Sequence, residues 1–397
     1  MKILMPNHFP LQGSGSGIYT LNVASELVKA GHEVMVITPD HQPVANSSFP
    51  VQTIIFNNGS NNNAEVDFNF PCFTTHPRSN VTFYELTDAQ IQAYLDIWRW
   101  HINEAVASFR PDVIHAHHVW ITPYVAAETG LPYVISCHGT DLMGYEKGPR
   151  YRQFALTAAQ KAEAIIAISH QVQKDLIATY KVSRNKAPLI GNGFGTEYFK
   201  LLPDLDKADV LAEFGLGGGR DPLVSFVGKF TRFKGIDVLL KAAAIYEKHL
   251  TGVQTVLVGH GQLWDEMHRL RDALGLQGVH FLGHQTQDVL ARIYNAADVS
   301  IVPSRIEPFG LVAVEALACG TPVIATNAGG LPDFINEEVG ALVPVDDPES
   351  LASAVIEEIE NNTKQTKGIY ANRYAYEGYT WERQVAKMID LYPQPQG

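Results

Sequence analysis

The sequence predicts an α/β protein of two domains, each a parallel sheet flanked by helices. Three observations carry this. The chain has 397 residues, whereas a single domain commonly runs to roughly 100–200. Short apolar runs of strand length alternate with amphipathic stretches from end to end, the pattern of parallel strands joined by crossover helices. The alternation breaks at Gly191-Asn192-Gly193 and then restarts. The boundary is expected near residues 190–200, with one domain over 1–192, a second over 193–377 and a last helix over 378–397. Two such halves imply a cleft at the carboxyl ends of their strands.

In order, Lys2–Pro6 reads as the first strand, followed by a Gly-rich turn. Ile18 to Ala30 reads as a helix ended by Gly31, and Glu33–Thr38 as the next strand. The Asn-rich segment Phe56–Pro71 breaks the pattern and reads as a long loop. Leu86 to Phe109 is predicted as a long helix carrying Trp98 and Trp100. Strands follow at Val113–Ala116, Tyr133–Cys137 and Ala164–Ile168. The second set is predicted at Leu223–Val227, Gln254–Val258, Val279–Leu282, Val299–Val302, Pro322–Ala325 and Ala341–Val345.

Composition narrows the function. With 46% hydrophobic and 18% charged residues the chain is of globular type. It has no run of about 18 apolar residues, so no integral membrane segment is expected. The opening MKILMPNHFP is too short and too soon broken for a secretory signal. Cys72, Cys137 and Cys319 are odd in number and far apart, fitting neither a disulfide framework nor a metal cage. A reducing, cytoplasmic compartment is expected. The net charge of −12 argues against nucleic acid. It is uneven: 13 basic against 15 acidic residues in 1–190, and 17 against 27 in the remainder. The most basic short stretch of the first half, around Lys147, Arg150 and Arg152, reads as a solvated helix face.

Four constellations carry chemistry. The first runs Ser304-Arg305-Ile306-Glu307-Pro308-Phe309-Gly310-Leu311-Val312-Ala313-Val314-Glu315, between a strand-like and a helix-like run. The N–H groups from about Phe309 to Val312 lack partners at such a helix start, and with the helix dipole they form an anion site. Glu307 in the turn and Glu315 about two helical turns later would flank that anion. Carboxylates accept hydrogen bonds from hydroxyl pairs, as on a ribose or a hexose, so the layout suits a nucleoside diphosphate sugar. The second is Gly228-Lys229-Phe230-Thr231-Arg232-Phe233-Lys234-Gly235, where fixed cations can stabilise a departing diphosphate without a metal.

The third is Gly13-Ser14-Gly15-Ser16-Gly17. Glycines let backbone approach a ligand closely, and Gly15 and Gly17 are the candidates for closest approach. The dinucleotide pattern G-x-G-x-x-G fails, because its last position falls on Ile18 or Thr20; a plain tight turn is the alternative. The fourth is Ser136-Cys137-His138-Gly139-Thr140-Asp141. Cys137 and His138, adjacent on a strand, point to opposite faces, so they give no protease signal. Upstream, His115 and His117 share a strand face, but no acidic or Cys partner follows at ligand spacing and no metal is expected. Asp204-Leu205-Asp206, the only D-x-D, has no strand before it and reads as solvated loop.

These stretches resemble the motifs of retaining GT-B glycosyltransferases, in particular glycosyltransferase family 4. The run Glu307 to Glu315 is similar to the family's E-x7-E motif. The run Gly228 to Gly235 is similar to its G-R-x(4)-K-G motif, with Lys229 where Arg is commoner, which keeps the charge but loses bidentate geometry. His138 to Asp141 is similar to its H-G-x-D segment. The resemblance covers nearly the whole chain and is strongest from about 223 to 345. It implies a GT-B fold of two facing Rossmann-like domains, with Tyr379-Thr380-Trp381 starting a helix that crosses back to the first. It also implies Glu315 on the nucleotide ribose, Glu307 on the donor sugar with the N–H groups of Phe309, Gly310 and Leu311 nearby, and Lys229 and Lys234 on the phosphates. Gly283 and His284 would meet the nucleobase, and Gly15 and Gly17 would lie across the cleft from the donor phosphate. His138 would bond a sugar hydroxyl. His117 and Asp141 fall on the acceptor side, with Asp141 alternatively orienting its loop.

The expected activity is transfer, with retention, of a hexose or N-acetylhexosamine from a nucleoside diphosphate sugar to an acceptor hydroxyl. Family habit favours a UDP-linked donor. The acceptor is expected to be a small polar molecule or glycan, and no metal or other cofactor is called for. The competing readings are a nucleotide-sugar epimerase, a glycosidic phosphorylase and a nucleotide-sugar-binding protein without catalysis. Lys234, His138, Glu307 and Glu315 occurring together argue against the last. Trp98, Trp100 and the Asn-rich loop either form an acceptor or membrane-facing surface or pack the long helix, which leaves a peripheral membrane contact open. The sequence does not fix the oligomeric state.

Overall fold

The computed structural model describes residues 1–393 except 47, 62, 75 and 218–220. The end of the expected helix 378–397 and one position of the Asn-rich loop therefore lie outside the described residues. The strands are β1 (Lys2–Pro6), β2 (Glu33–Asp40), β3 (Val51–Ile55), β4 (Val113–His117), β5 (Tyr133–Cys137) and β6 (Ala164–Ala167), then β7 (Leu223–Val227), β8 (Gln254–Val258), β9 (Val279–Gly283), β10 (Val299–Val302), β11 (Val323–Thr326) and β12 (Gly340–Val343). Contacts divide the chain into two compact units, residues 1–191 with the chain from Trp381 on, and Asn192–Thr380.

Each unit holds one six-stranded sheet, ordered β3-β2-β1-β4-β5-β6 in the first and β12-β11-β10-β7-β8-β9 in the second. All the strand pairings are parallel. Helices cover parallel sheets on both faces, so interior strands read as unbroken apolar runs, and β4, β5 and β6 are buried at every position. The winding reverses between β1 and β4 and again between β7 and β10. Ligands gather beyond the carboxyl ends of strands at such reversals.

The first core joins Ile3, Val23, Val36, Val113 and Val134 to Trp381, Val385, Met388 and Tyr392. The second gathers around Val224, Leu239, Leu257, Val299 and Ile324. Local chemistry sets the helix ends. Thr87 caps the helix Asp88–Phe109 and forms a capping box with Gln90. Gly275 ends the helix Trp264–Leu274 in the left-handed region, where a Cβ would be strained.

Four elements differ from expectation. The first helix begins at Gly15, not Ile18, because the Ser14 hydroxyl accepts the Gly17 N–H at 3.0 Å and caps it. β3 is a strand the apolar pattern does not signal, because only Ile54 is buried along it. The last helix runs Trp381–Ile389, beginning after Gly378 because Gly378 ends a separate helix, Thr363–Gly378. Asp206 does not stay in loop: its carboxylate accepts the Ala208 N–H at 2.8 Å and caps the helix Lys207–Glu213.

Candidate active site

In the second unit, two turns meet at the carboxyl edge where the winding reverses. The turn after β7 carries Lys229, exposed at its apex, and Lys234. The turn after β10 carries Ser304 to Gly310. They meet because Gly235, at φ +64°, lies so close to the Pro303 carbonyl that a Cβ would come within 2.0 Å of it. The Arg305 N–H also donates to the Phe233 carbonyl at 2.7 Å. The approach places Lys234 Nζ 2.5 Å from Glu307 Oε2. The Ser304 hydroxyl donates to the same oxygen at 3.1 Å. Glu307 is buried. Its backbone carbonyl accepts the Gly330 N–H at 2.9 Å.

Arg305 stitches this edge together. Its guanidinium grips Asp237 with two bonds of 2.8 Å, the Asp346 carboxylate at 2.6 Å and the Arg232 carbonyl at 2.8 Å. Asp237 opens the helix that follows Lys234, so one side chain braces both turns. The sequence offers no local signal for this, since the partners are 68 and 41 residues away.

Beyond Glu307, Gly310 caps the helix Leu311–Ala318 at φ +109°. A Cβ there would come within 2.6 Å of Leu331. Phe309 is buried against Phe334, with ring centroids 5.3 Å apart. This glycine lets the helix start turn sharply, leaving first-turn N–H groups without intrahelical acceptors. Further along, burial pushes the half-buried Glu315 carboxyl up to about 7, while the Tyr294 hydroxyl pulls it the other way. Gly283, at φ +67°, ends β9 with open space around its Cα, and His284 beside it is exposed.

In the first unit, the carboxyl edge at the reversal gathers imidazoles. His138 follows β5 and lies half-buried, its Nε2 3.2 Å from His117 Nδ1 and its ring 4.8 Å from Tyr19, edge to face. His115 and His117 do share a face, stacked at 5.2 Å. His115 is held by Ser136 at 2.8 Å and Tyr392 at 2.7 Å. Burial lowers His8, His115 and His138 to about 3 and, with the neighbouring imidazoles, holds His117 and His118 well below the ordinary value, so these rings are neutral near pH 7. His117 Nε2 is buried with no hydrogen-bond partner among the described residues. Among the described residues no three His, Cys, Asp or Glu side chains are grouped to hold a metal.

Burial decides between the two readings of Asp141. It is fully buried, one oxygen accepting the Val119 N–H at 2.7 Å and the other lying 3.5 Å from the Cys137 thiol, so it orients its loop. At Gly17 the chain itself comes close: the Pro10 carbonyl sits 2.0 Å from where a Cβ would be and the N–H donates to the Ser14 hydroxyl at 3.0 Å, which fits the plain tight turn. Around Gly15 the space is open. The tryptophans divide: Trp98 is buried among Tyr94 and His8, and Trp100 is 56% exposed. No helix among the described residues is long and apolar enough to cross a membrane. Arg150, from the basic stretch, pairs with Asp88 at 2.9 Å.

Comparison with known proteins agrees with this layout. Residues 13–198 match the family described as Glycosyltransferase Family 4, and residues 215–380 match Glycosyl transferases group 1. The D-inositol 3-phosphate glycosyltransferase 1 of Catenulispora acidiphila is 32% identical over 304 residues, covering 71% of this chain and 72% of that protein. Among solved structures, a sucrose-phosphate synthase from Thermosynechococcus elongatus superposes with a TM-score of 0.77 at 25% identity, covering 99% of this chain and 98% of that one. The Anabaena protein HepE, solved in complex with UDP-glucose, superposes with a TM-score of 0.73 at 21% identity over 98% of this chain and 99% of that one. The chain thus belongs to glycosyltransferase family 4, a glycosyltransferase of the GT-B fold class.

Proposed function

We propose that the protein transfers a hexose or N-acetylhexosamine, with retention, from a UDP-linked donor to an acceptor hydroxyl without a metal. The observation that carries this reading is the meeting of Lys234 and Glu307 at the β7–β10 reversal, beside the helix start at Gly310. A sugar diphosphate needs positive charge where its leaving group departs and carboxylates where its hydroxyls sit, and both are supplied there. In this scheme Lys234, Lys229 and the first-turn N–H groups stabilise the departing diphosphate. Lys234 then exchanges its carboxylate partner for phosphate oxygens. Glu307, freed of that pair, accepts from donor-sugar hydroxyls, and Glu315 accepts from the ribose. The neutral imidazole of His138 is assigned to a substrate hydroxyl. The acceptor hydroxyl attacks from the face the diphosphate leaves, and a leaving phosphate oxygen takes its proton, so no protein nucleophile is required.

The test is a donor screen by calorimetry and by released nucleoside diphosphate. It uses UDP-glucose, UDP-N-acetylglucosamine, UDP-galactose and GDP-mannose, with and without EDTA, on the wild type and on Glu315→Ala. Selective binding of a UDP sugar, slow EDTA-insensitive hydrolysis and weaker binding by the variant are expected. A GDP sugar as sole donor would overturn the uridine assignment, loss of turnover in EDTA the metal-free scheme, and a glycosyl adduct on any side chain the absence of a nucleophile.

A further inference from the structure

Two Asn-Gly steps occur in the chain, Asn58-Gly59 in the Asn-rich loop and Asn192-Gly193 at the start of the second unit. An asparagine before glycine can close on itself, because no Cβ hinders the glycine nitrogen as it approaches the side-chain amide carbon. We propose that the fold makes the first step a site of spontaneous covalent modification, where Asn58 is converted to aspartate and isoaspartate, and leaves the second inert. The step draws on nothing in the transferase reading.

The chemistry is ring closure followed by hydrolysis. The Gly59 nitrogen loses its proton and bonds to Asn58 Cγ, and negative charge gathers on Oδ1. Collapse of that tetrahedral species breaks the bond from Cγ to the amide nitrogen, expels ammonia and leaves a cyclic succinimide. Water then opens the ring at either carbonyl, giving aspartate or its β-linked isomer. The net change is loss of ammonia and gain of water, and water is the only co-reactant.

The loop is arranged to favour closure at Asn58. The Ser60 N–H, at 3.1 Å, and the Ser60 hydroxyl, at 2.9 Å, both donate to Asn58 Oδ1, the oxygen that becomes anionic. Donors aimed at a developing oxyanion lower the barrier to its formation. The Gly59 N–H in turn donates to Asn57 Oδ1 at 2.8 Å, which draws the proton away from the attacking nitrogen. Gly59 sits at φ +94°, and among the described residues nothing beyond its chain neighbours comes within 4 Å of where a Cβ would be. The backbone is therefore free to swing as the ring closes. Asn58, Gly59 and Ser60 are all exposed, so water reaches the site.

Asn192 shares the dipeptide and none of these features. It is 8% exposed, and its Oδ1 is buried with no hydrogen-bond partner among the described residues. Charge on that oxygen would form out of water with nothing to stabilise it. Gly193 is buried, and the Phe194 N–H after it is tied to the Tyr379 carbonyl at 3.0 Å, so the backbone there is held. At Asn58 the product also changes its surroundings. Asn58 lines a cavity of about 490 Å³ with Asp40 and Arg78, which pair at 2.7 Å. Conversion adds a second carboxylate to that wall, and the β-linked isomer adds a methylene to the backbone of the loop.

The test follows both steps by peptide mass mapping while the whole protein is incubated at mildly alkaline pH, native and in urea. Conversion exchanges NH2 for OH, a gain of about 1 Da, and chromatography separates isoaspartate from aspartate. In the native protein Asn58 is expected to convert at least about tenfold faster than Asn192. In urea the gap should close, chiefly through a rise at Asn192. Ser60→Ala and Asn57→Ala should each slow Asn58 by roughly two- to tenfold, the worth of one net hydrogen bond, and leave Asn192 unchanged. Equal native rates at the two positions, no conversion at Asn58, or a rate at Asn58 that Ser60→Ala leaves unchanged or raises overturns the inference.

Discussion

Glu315 shows what burying a carboxylate costs a folded chain. Its folded value of about 7 lies above the ordinary 4.5, so the folded chain holds the proton longer than the unfolded chain does. Its contribution to stability is therefore most favourable below about 4.5 and falls as pH rises towards 7. Glu315→Gln should melt higher than the wild type at about pH 8, by an increment of at most about 3 kcal/mol, and should melt alike at about pH 4.5. Thermal unfolding at the two pH values checks this; equal midpoints at pH 8 would contradict it. His138 behaves oppositely. Lowered to about 3, it stays neutral throughout an ordinary assay range, and its titration should leave no limb near 6.5 in the pH profile of kcat/KM.

At the scale of elements, the two turns at the β7–β10 edge are held by one glycine and one arginine. Gly310→Ala must place a Cβ at φ +109° and 2.6 Å from Leu331, a strain of order 1–3 kcal/mol. It should lower the melting temperature and weaken the donor, as calorimetry would show. Arg305→Lys keeps a charge but loses the fork on Asp237. Because this ion pair is partly exposed, stability should change by no more than about 1 kcal/mol. Turnover should fall by about tenfold through a looser Lys234, chiefly in kcat with KM less affected. An unchanged kcat would reduce Arg305 to a surface staple.

The same scale shows what could be read in advance. Strands such as β1, β5, β7, β8 and β10 lie where their apolar runs place them, because parallel strands covered on both faces need such runs. The E-x7-E and lysine stretches were legible as motifs because each is one continuous run of sequence. β3 was not, since an edge strand with one buried residue carries no continuous run. The helix start at Gly15 was hidden by glycine's poor helix propensity, which the Ser14 cap overrides. The choice between the two readings of Asp141, and the role of Arg305, could not be made from sequence, because Val119, Asp237 and Asp346 reach them only through the winding of the sheets.

Across the molecule, the two units should answer acid differently. His8, His115, His117, His118 and His138 all belong to the first unit and are held neutral by burial. The unfolded chain binds protons at these sites near 6.5, and the folded chain does so only well below that, at about 3 for His8, His115 and His138. Their contribution is thus complete above 6.5 and is lost as pH falls beneath it, by up to about 1.4 kcal/mol per pH unit for each ring. Hydrogen exchange at about pH 5 against 7.5, corrected for intrinsic rates, should show β1, β4 and β5 losing protection before β7, β8 and β10. Loss in the reverse order would refute this.

The return of the chain after Thr380 has a consequence for synthesis. Trp381, Val385, Met388 and Tyr392 fill the core of the first unit against the helix Gly15–Lys29, and the Tyr392 hydroxyl bonds His115. A ribosome delivers these residues only after all of Asn192–Thr380 has emerged. The unit that stands second in the sequence is thus the first that can be whole, and the nascent chain carries an unfilled slot in its earlier unit until Trp381 to Tyr392 have emerged.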